Sequence, residues 1–155
     1  ILLRVPNVCS GYLNKAEITA RTIVDGWFHT GDLGKMDADG HMAIVGRLKD
    51  MIISGGVNIY PAEIERVIET HPAVAASAVI GVPDPKWGEV GKAVLELKPG
   101  ADLNLAQLLE HLRDRLGKFK LPKYLAVVDE LPRTPASGKV QKFVLKEKYG
   151  KAEHD

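Results

Sequence analysis

The chain has one cysteine, Cys9, in 155 residues, so no internal disulfide can form. Its five histidines are scattered and share no spacing with that cysteine that resembles a zinc site, so no metal site is expected. Such cysteine usage points by default to a reducing, cytoplasmic setting. No apolar run approaches the roughly 20 residues that a membrane span requires, and no transmembrane segment is expected. The opening ILLRVPNVCSGYLN lacks the basic-then-apolar order of a signal peptide. It also lacks an initiator methionine, so a longer protein that continues upstream is the expectation. Net charge is close to absent too. At +1 the chain has no overall field to draw in nucleic acid or an acidic membrane, and any basic site must be local. Internal repeats and low-complexity tracts are missing, which excludes solenoids and linker-like segments.

What is present is ordinary globular composition, with enough apolar residues for one core or two small ones. Basic charge gathers only near the end: from Lys118 to Lys151 nine Lys or Arg stand against three acids, Asp129, Glu130 and Glu147. Residues 1–47 read as short strands and turns without a helix, with Asp-Gly and Gly-Asp turns and a hairpin loop at DADG. A segment of about 47 residues is too short to bury a good core. It is therefore expected either to pair with a partner chain, a homodimer being one such arrangement, or to be the end of a larger domain.

From residue 48 the pattern is mixed. DMIIS reads as a short strand that runs into Gly55 and Gly56, and Pro61 opens a helix over PAEIERVIETH, with Ile64, Val67 and Ile68 on one face and Pro72 beyond its end. AVAASAVIGV and VGKAVLEL read as neighbouring strands. NLAQLLEHLRDRLG places Leu105, Leu108, Leu109, Leu112 and Leu116 at helical spacing, with Asn104 and Gln107 as a capping pair and Gly117 as the stop. YLAVVDEL returns as a third strand. The prediction is a small α/β (α+β) domain with a roughly three-stranded sheet flanked by helices plus a β-hairpin.

Four stretches carry chemistry: GWFHTGDLG (26–34), GRLKDMIISGGVNIYPAEIE (46–65), DPKWGE (84–89) and PASGK (135–139). In this order they resemble the C-terminal signatures of the adenylate-forming acyl-CoA synthetase family, and VPNVCSGYLN is similar to the family's approach to the same region. The resemblance implies a two-step reaction in which ATP activates a carboxylic acid as an acyl-adenylate and CoA then displaces AMP. It further implies that residues 1–47 are the tail of a large N-terminal AMP-binding domain and that 48–155 are a mobile lid with one pose for each step. The phosphate loop, the acyl pocket and the ligands of Mg2+ would then belong to the large domain, and this chain alone would be inactive.

The resemblance also distributes roles. Lys139 alone reads as a solvated lysine, and a P-loop is excluded because that motif needs Gly and Ser or Thr where the chain has Arg133 and Val140. By resemblance Lys139 is the adenylation lysine, a cation on a long stem that neutralises the attacking carboxylate and the α-phosphate. Asp32, otherwise a turn carboxylate, would accept hydrogen bonds from the ribose hydroxyls of ATP, and Arg47 would contact the nucleotide nearby. Lys49 matches the hinge position. Gly55 and Gly56, otherwise a hairpin turn, would line the channel for the pantetheine arm of CoA. Trp87 and Phe119, otherwise rim aromatics, would lie near the CoA nucleotide. Where some relatives carry Arg for a CoA phosphate this chain has Leu121, which leaves Lys118, Lys120 or Lys123 as the phosphate contact.

Two relatives of this reading stay open, a carrier-protein-loading adenylation domain and a luciferase-like enzyme. A reading of another class is a nucleic-acid-binding module built on the basic end and Phe119, Tyr124, Phe143 and Tyr149. Near-neutral charge and the lack of a recognisable motif argue against it, so no nucleic acid is expected as partner.

Overall fold

The sequence of short strands before residue 48 and of alternating helices and strands after it is met by two units, Ile1–Lys49 and a larger one from Asp50 onward. The structure, a computed structural model, describes residues 1–152, and the last three positions of the 48–155 span lie outside the described residues.

In the first unit β1 (Leu2–Leu3), β2 (Ile23–Val24) and β3 (Trp27–His29) form an antiparallel sheet in the order β1-β3-β2. Asp25 and Gly26 turn between β2 and β3 with φ of 50° and 78°, the left-handed pair that suits a two-residue hairpin loop. A second hairpin joins β4 (Asp32–Met36) to β5 (Met42–Arg47) through the DADG loop. There Asp37 Oδ1 accepts the N–H groups of Asp39 and His41 at 3.0 and 2.9 Å. A helix, α1 (Ala16–Thr22), stands where none was expected. It buries no residue, so no apolar stripe marked it; Thr19 Oγ1 instead donates to Lys15 O and accepts the Tyr12 N–H, pinning the first turn. None of residues 1–49 is buried, as expected of so short a segment.

The second unit is built on a long antiparallel pair, β8 (Val74–Asp84) and β9 (Gly88–Leu97), in continuous register from Ala76 opposite Glu96 to Asp84 opposite Gly88, with a register shift between Val74 and Ala76. Strand β10 (Tyr124–Val128) runs parallel to β9, and such a pair needs a crossover, which α3 (Leu105–Arg113) supplies. The hairpin of β6 (Ile52–Ser54) and β7 (Val57–Ile59) joins β9 through Ser54 opposite Gly88. This is the three-stranded sheet with added hairpin that the sequence predicts.

Helices cover both sheet faces. Val79, Ala93 and Leu95 pack with Ile64 and Ile68 of α2 (Pro61–Ile68) and with Leu108 and Leu112 of α3. On the other face Ala78, Ile80 and Val94 pack with Leu145 of α4 (Lys142–Tyr149). Burial on both faces is why β8 reads as a continuous apolar run rather than an alternating one. Each fully buried Leu or Ile contributes about 1.5–3 kcal/mol relative to exposure.

The Asn104–Gln107 capping box forms, with both reciprocal bonds, at 3.0 and 2.9 Å. Helix α3 nevertheless ends at Arg113 rather than at Gly117. The Arg115 N–H turns back to Leu112 O in the tighter i→i−3 spacing, and Gly117, at φ −60°, opens a 3-10 turn over Lys118–Lys120 instead of ending α3. Helix α4 was not legible: only Leu145 is buried in it, while Phe143 stays exposed. Strand β10 stops at Val128, short of the expected Leu131.

Candidate functional site

In the first unit the antiparallel register of β4 and β5 puts Asp32 directly opposite Arg47. Arg47 Nε donates to Asp32 Oδ1 at 3.1 Å, and the Asp32 N–H donates to Thr30 Oγ1 at 3.0 Å. The second carboxylate oxygen of Asp32 and the remaining guanidinium N–H groups keep hydrogen-bonding capacity. An acceptor and a donor fork at one strand end suit a vicinal diol beside a phosphate. Lys49 follows within a 3-10 turn, Leu48–Asp50, and is exposed.

In the second unit Gly55 and Gly56 do form a hairpin turn, with φ of 56° and 81°. Gly55 has a further constraint. Its N–H donates to Trp87 O at 2.8 Å, and a Cβ there would stand 2.7 Å from Trp87 Cε3. The indole thus lies directly on the turn. Together Gly55, Trp87, Phe119 and Leu121 line a cleft of about 580 Å³ that also takes in Arg113, Lys118 and Lys123. Trp87 is 42% exposed and Phe119 55%; the Lys86 and Lys123 ammonium groups lie 4.9 and 5.9 Å from the Trp87 ring centroid and that of Lys120 5.6 Å from the Phe119 centroid. Gly56 does not line the cleft.

The three candidate lysines differ in what they already hold. Lys120 is paired with Glu63 at 2.5 Å and Lys123 with Asp84 at 2.9 Å. Lys118, and Arg113 beside it in the cleft, have no ion-pair partner among the described residues. Arg113 carried no signal in the sequence beyond its place at the polar end of a helix.

Asp84, bonded to two of the cleft residues, is what sequence reasoning passed over. One carboxylate oxygen accepts the N–H groups of Lys86 and Trp87, each at 2.9 Å, and the other takes Lys123 Nζ, so a single side chain orients both Trp87 and Lys123. The Lys123 ammonium, aided by those two N–H groups, holds its carboxyl below the usual carboxylate value against the opposing effect of burial. A depressed pKa gives stability that is present above the ordinary value of 3.8 and lost as pH falls toward the folded value. Asp84→Asn keeps the turn acceptor and loses only the charge pair. The gap in urea midpoint between wild type and Asp84→Asn should therefore be constant near neutrality and close on acidification below 3.8. A gap that persists through the acid range would show that the Lys123 pair contributes nothing.

Lys139 sits at the end of a second tight hairpin. Arg133 and Val140 form an antiparallel bridge, the Thr134 N–H donates to Lys139 O at 2.8 Å, and the Gly138 N–H to Thr134 O at 2.8 Å. Gly138 takes φ of 64° to close the turn. The Lys139 side chain is exposed and has no ion-pair partner among the described residues. The loop is thus an ordered hairpin that presents one uncommitted cation.

Elsewhere His71 and His111 meet edge-to-face with ring centroids 4.9 Å apart. Burial first, and then the charge of His111, lowers the pKa of His71. His71 Nδ1 accepts the Ala73 N–H. Asp37, Asp39 and His41 gather donor atoms within 4.8 Å, but all three are exposed and Asp37 already pairs with His41 Nδ1 at 3.2 Å. Tyr124 and Tyr149 pack against the core on the α4 face while Phe119 lines the cleft, so the four aromatics do not make one stacking surface. No helix among the described residues is long and apolar enough to cross a membrane.

The second unit combines a small mixed sheet covered by helices on both faces, a glycine turn beneath a tryptophan and a lysine-bearing hairpin, and residues 63–139 match the family model of the AMP-binding enzyme C-terminal domain. The chain belongs to these adenylate-forming enzymes and corresponds to their C-terminal portion. It is 50% identical over 150 residues to a feruloyl-CoA synthase of Amycolatopsis sp, covering 97% of this chain and 30% of that protein. The crystal structure of ATP-bound MatB from Rhodopseudomonas palustris superposes with a TM-score of 0.83 at 49% identity, over 94% of this chain and 29% of that one. An o-succinylbenzoate CoA synthetase (MenE) from Bacillus subtilis, in complex with its acyl-adenylate intermediate, gives 0.85 at 41% identity, with coverage of 94% and 29%. The chain spans about 30% of the length of the relatives it matches.

Proposed function

We propose that this chain is the C-terminal part of an AMP-forming acyl-CoA synthetase, an acid–thiol ligase that activates a carboxylic acid with ATP and passes the acyl group to CoA. The observation that carries the proposal is the uncommitted Lys139 cation on its ordered hairpin, in a unit that also carries an open aromatic cleft. In the first step the acid's carboxylate attacks the α-phosphorus, pyrophosphate leaves, and Lys139 offsets the negative charge that gathers there. Asp32 holds the ribose hydroxyls and Arg47 orients beside it. In the second step the CoA thiol attacks the acyl carbonyl and AMP leaves.

The cleft is the proposed CoA site. Trp87 and Phe119 stack the adenine, and the Gly55 turn leaves room for the pantetheine arm. Arg113 and Lys118 take the phosphates that Leu121 cannot, because Lys120 and Lys123 are already committed. Residues 1–47 are read as the tail of the large domain, 48–155 as the lid, and Lys49 as the hinge between them. The apolar residues exposed in the first unit, among them Trp27, Met42 and Ile44, suit a surface made to be covered by the rest of such a domain. Magnesium enters with ATP. The exposed, internally paired Asp37–His41 group does not fit it, and its ligands are assigned to the large domain.

The test is product analysis of the enzyme that contains this chain, given ATP, CoA and a panel of aryl and fatty acids. AMP, pyrophosphate and an acyl-CoA are expected in equal amounts. ADP and phosphate as products, or acyl transfer only to a carrier protein, would overturn the proposal.

A further inference from the structure

The hairpin that carries Lys139 has little to hold it by burial: from Arg133 to Lys139 no residue is buried. It is tied down by two acids instead. Glu65 of α2 accepts the Val79 N–H of β8 at 2.7 Å and the Lys142 ammonium at 2.6 Å, both on Oε1. Both members of that ion pair are only 17% exposed, so water and salt screen it less than a surface pair. Glu96, near the end of β9, accepts the Leu131 N–H at 3.1 Å and lies 3.6 Å from the Arg133 guanidinium, all on Oε2. Leu131 and Arg133 lead into the hairpin, and Lys142 leads out of it. One carboxylate therefore grips each leg, and each is itself rooted in the helix or sheet of the core.

We propose that Glu65 and Glu96 are positioning residues for Lys139, which fix the 131–142 hairpin so that the lysine moves only with the whole unit and never as a loose loop. The inference rests on the reading of Lys139 as the adenylation lysine. A Ser-Gly pair such as Ser137-Gly138 allows a flexible turn, but the bonds across the turn and the two acids at its base hold this one in place. A lysine is a long, rotatable point charge, so its effect on a reacting phosphate depends on where its Cα is held. Misplacement of a reacting or stabilising group by about 1 Å can cost on the order of a hundredfold in rate. Glutamate suits the role because each carboxylate oxygen accepts two bonds at once, one from backbone and one from a cation.

The experiment uses Glu65→Gln and Glu96→Gln, singly and together, since the amide oxygen can still accept the Val79 or Leu131 N–H and only the negative charge that holds the cation is lost. In this chain, amide hydrogen exchange is read at Thr134, Gly138 and Gln141, whose N–H groups close the hairpin, with the β8–β9 ladder as internal control. The double variant should exchange at least about tenfold faster at the hairpin and unchanged in the ladder. In the enzyme that contains this chain, adenylation should fall at least about tenfold while thioester formation from supplied acyl-adenylate is kept. Lys142→Met should be non-additive with Glu65→Gln in both readouts, because the two remove one interaction. Unchanged hairpin exchange in the double variant overturns the proposal whatever the rates do. Faster exchange with full adenylation overturns it as well, and Lys139→Ala then tells which premise failed. If Lys139→Ala also adenylates normally, the role given to Lys139 is wrong; if it does not, Lys139 works without the two acids.

Discussion

Lys139→Ala in the enzyme that contains this chain is expected to slow acyl-adenylate formation by about a hundredfold or more and to leave thioester formation nearly intact. The asymmetry follows from where charge develops. While a carboxylate approaches an α-phosphate, two anions are forced together, and a cation with no other partner can be committed wholly to them. In the second step a neutral carbonyl is attacked and AMP departs, so the same cation has little to stabilise. Lys139 is suited to the first task because it is exposed and unpaired among the described residues, unlike Lys120, Lys123 and Lys142, each of which already holds an acid. The measurement compares the rate from ATP plus acid with the rate from synthetic acyl-adenylate plus CoA. Equal losses in the two would mean that Lys139 supports the fold or the docking of the unit, and the catalytic assignment would fall.

Lys49→Pro is expected to act in the reverse sense, lowering the thioester step on the order of tenfold or more while adenylation changes little. Proline fixes φ near −65° and constrains the residue before it, so the mutation freezes the backbone at one setting. The neighbours tie the chain to one unit on either side of this position. The Leu48 N–H is bonded to Gly31 O at 2.9 Å, which secures the chain to the first unit, and Ile52 is buried in the core of the second. Between them the exposed Lys49 is the last residue of the first unit. If the unit must turn between the two half-reactions, a locked torsion there spares whichever step uses the locked pose. Single-turnover rates for each half-reaction decide the matter. Equal losses in both would show that the torsion at Lys49 does not change in the cycle.

Elements that bury an apolar stripe or run were legible, and those that do not were missed. Leu108 and Leu112 at helical spacing after an Asn-x-x-Gln cap announced α3, and the unbroken apolar run of β8 announced a strand covered on both faces. Helix α1 buries nothing and α4 buries only Leu145, so neither left a periodic trace. The end of α3 was misplaced because Gly117 was read as its stop, whereas the helix ends at Arg113 with Asp114 as its cap.

The same division holds for the site. Resemblance of four ordered motifs to a known family singled out Lys139, Asp32, Arg47, Gly55, Trp87 and Phe119, each of which taken alone reads as an ordinary surface or turn residue. Sequence could not say that Asp32 and Arg47 face each other, because that depends on the register of β4 on β5. Nor could it choose among the lysines near Leu121. The choice turns on which of them is already neutralised by Glu63 or Asp84, residues 57 and 39 positions away in the chain. The grip of Glu65 and Glu96 on the hairpin is of the same kind. Local periodicity and turn chemistry are written within a few neighbouring residues, so the sequence by itself determined the elements that bury an apolar stripe or run and the candidate groups that its motifs carry. Ion pairs and clefts form between residues that only the packed sheet and helices bring together, so tertiary structure alone decided which cations are spent and which are left for a ligand.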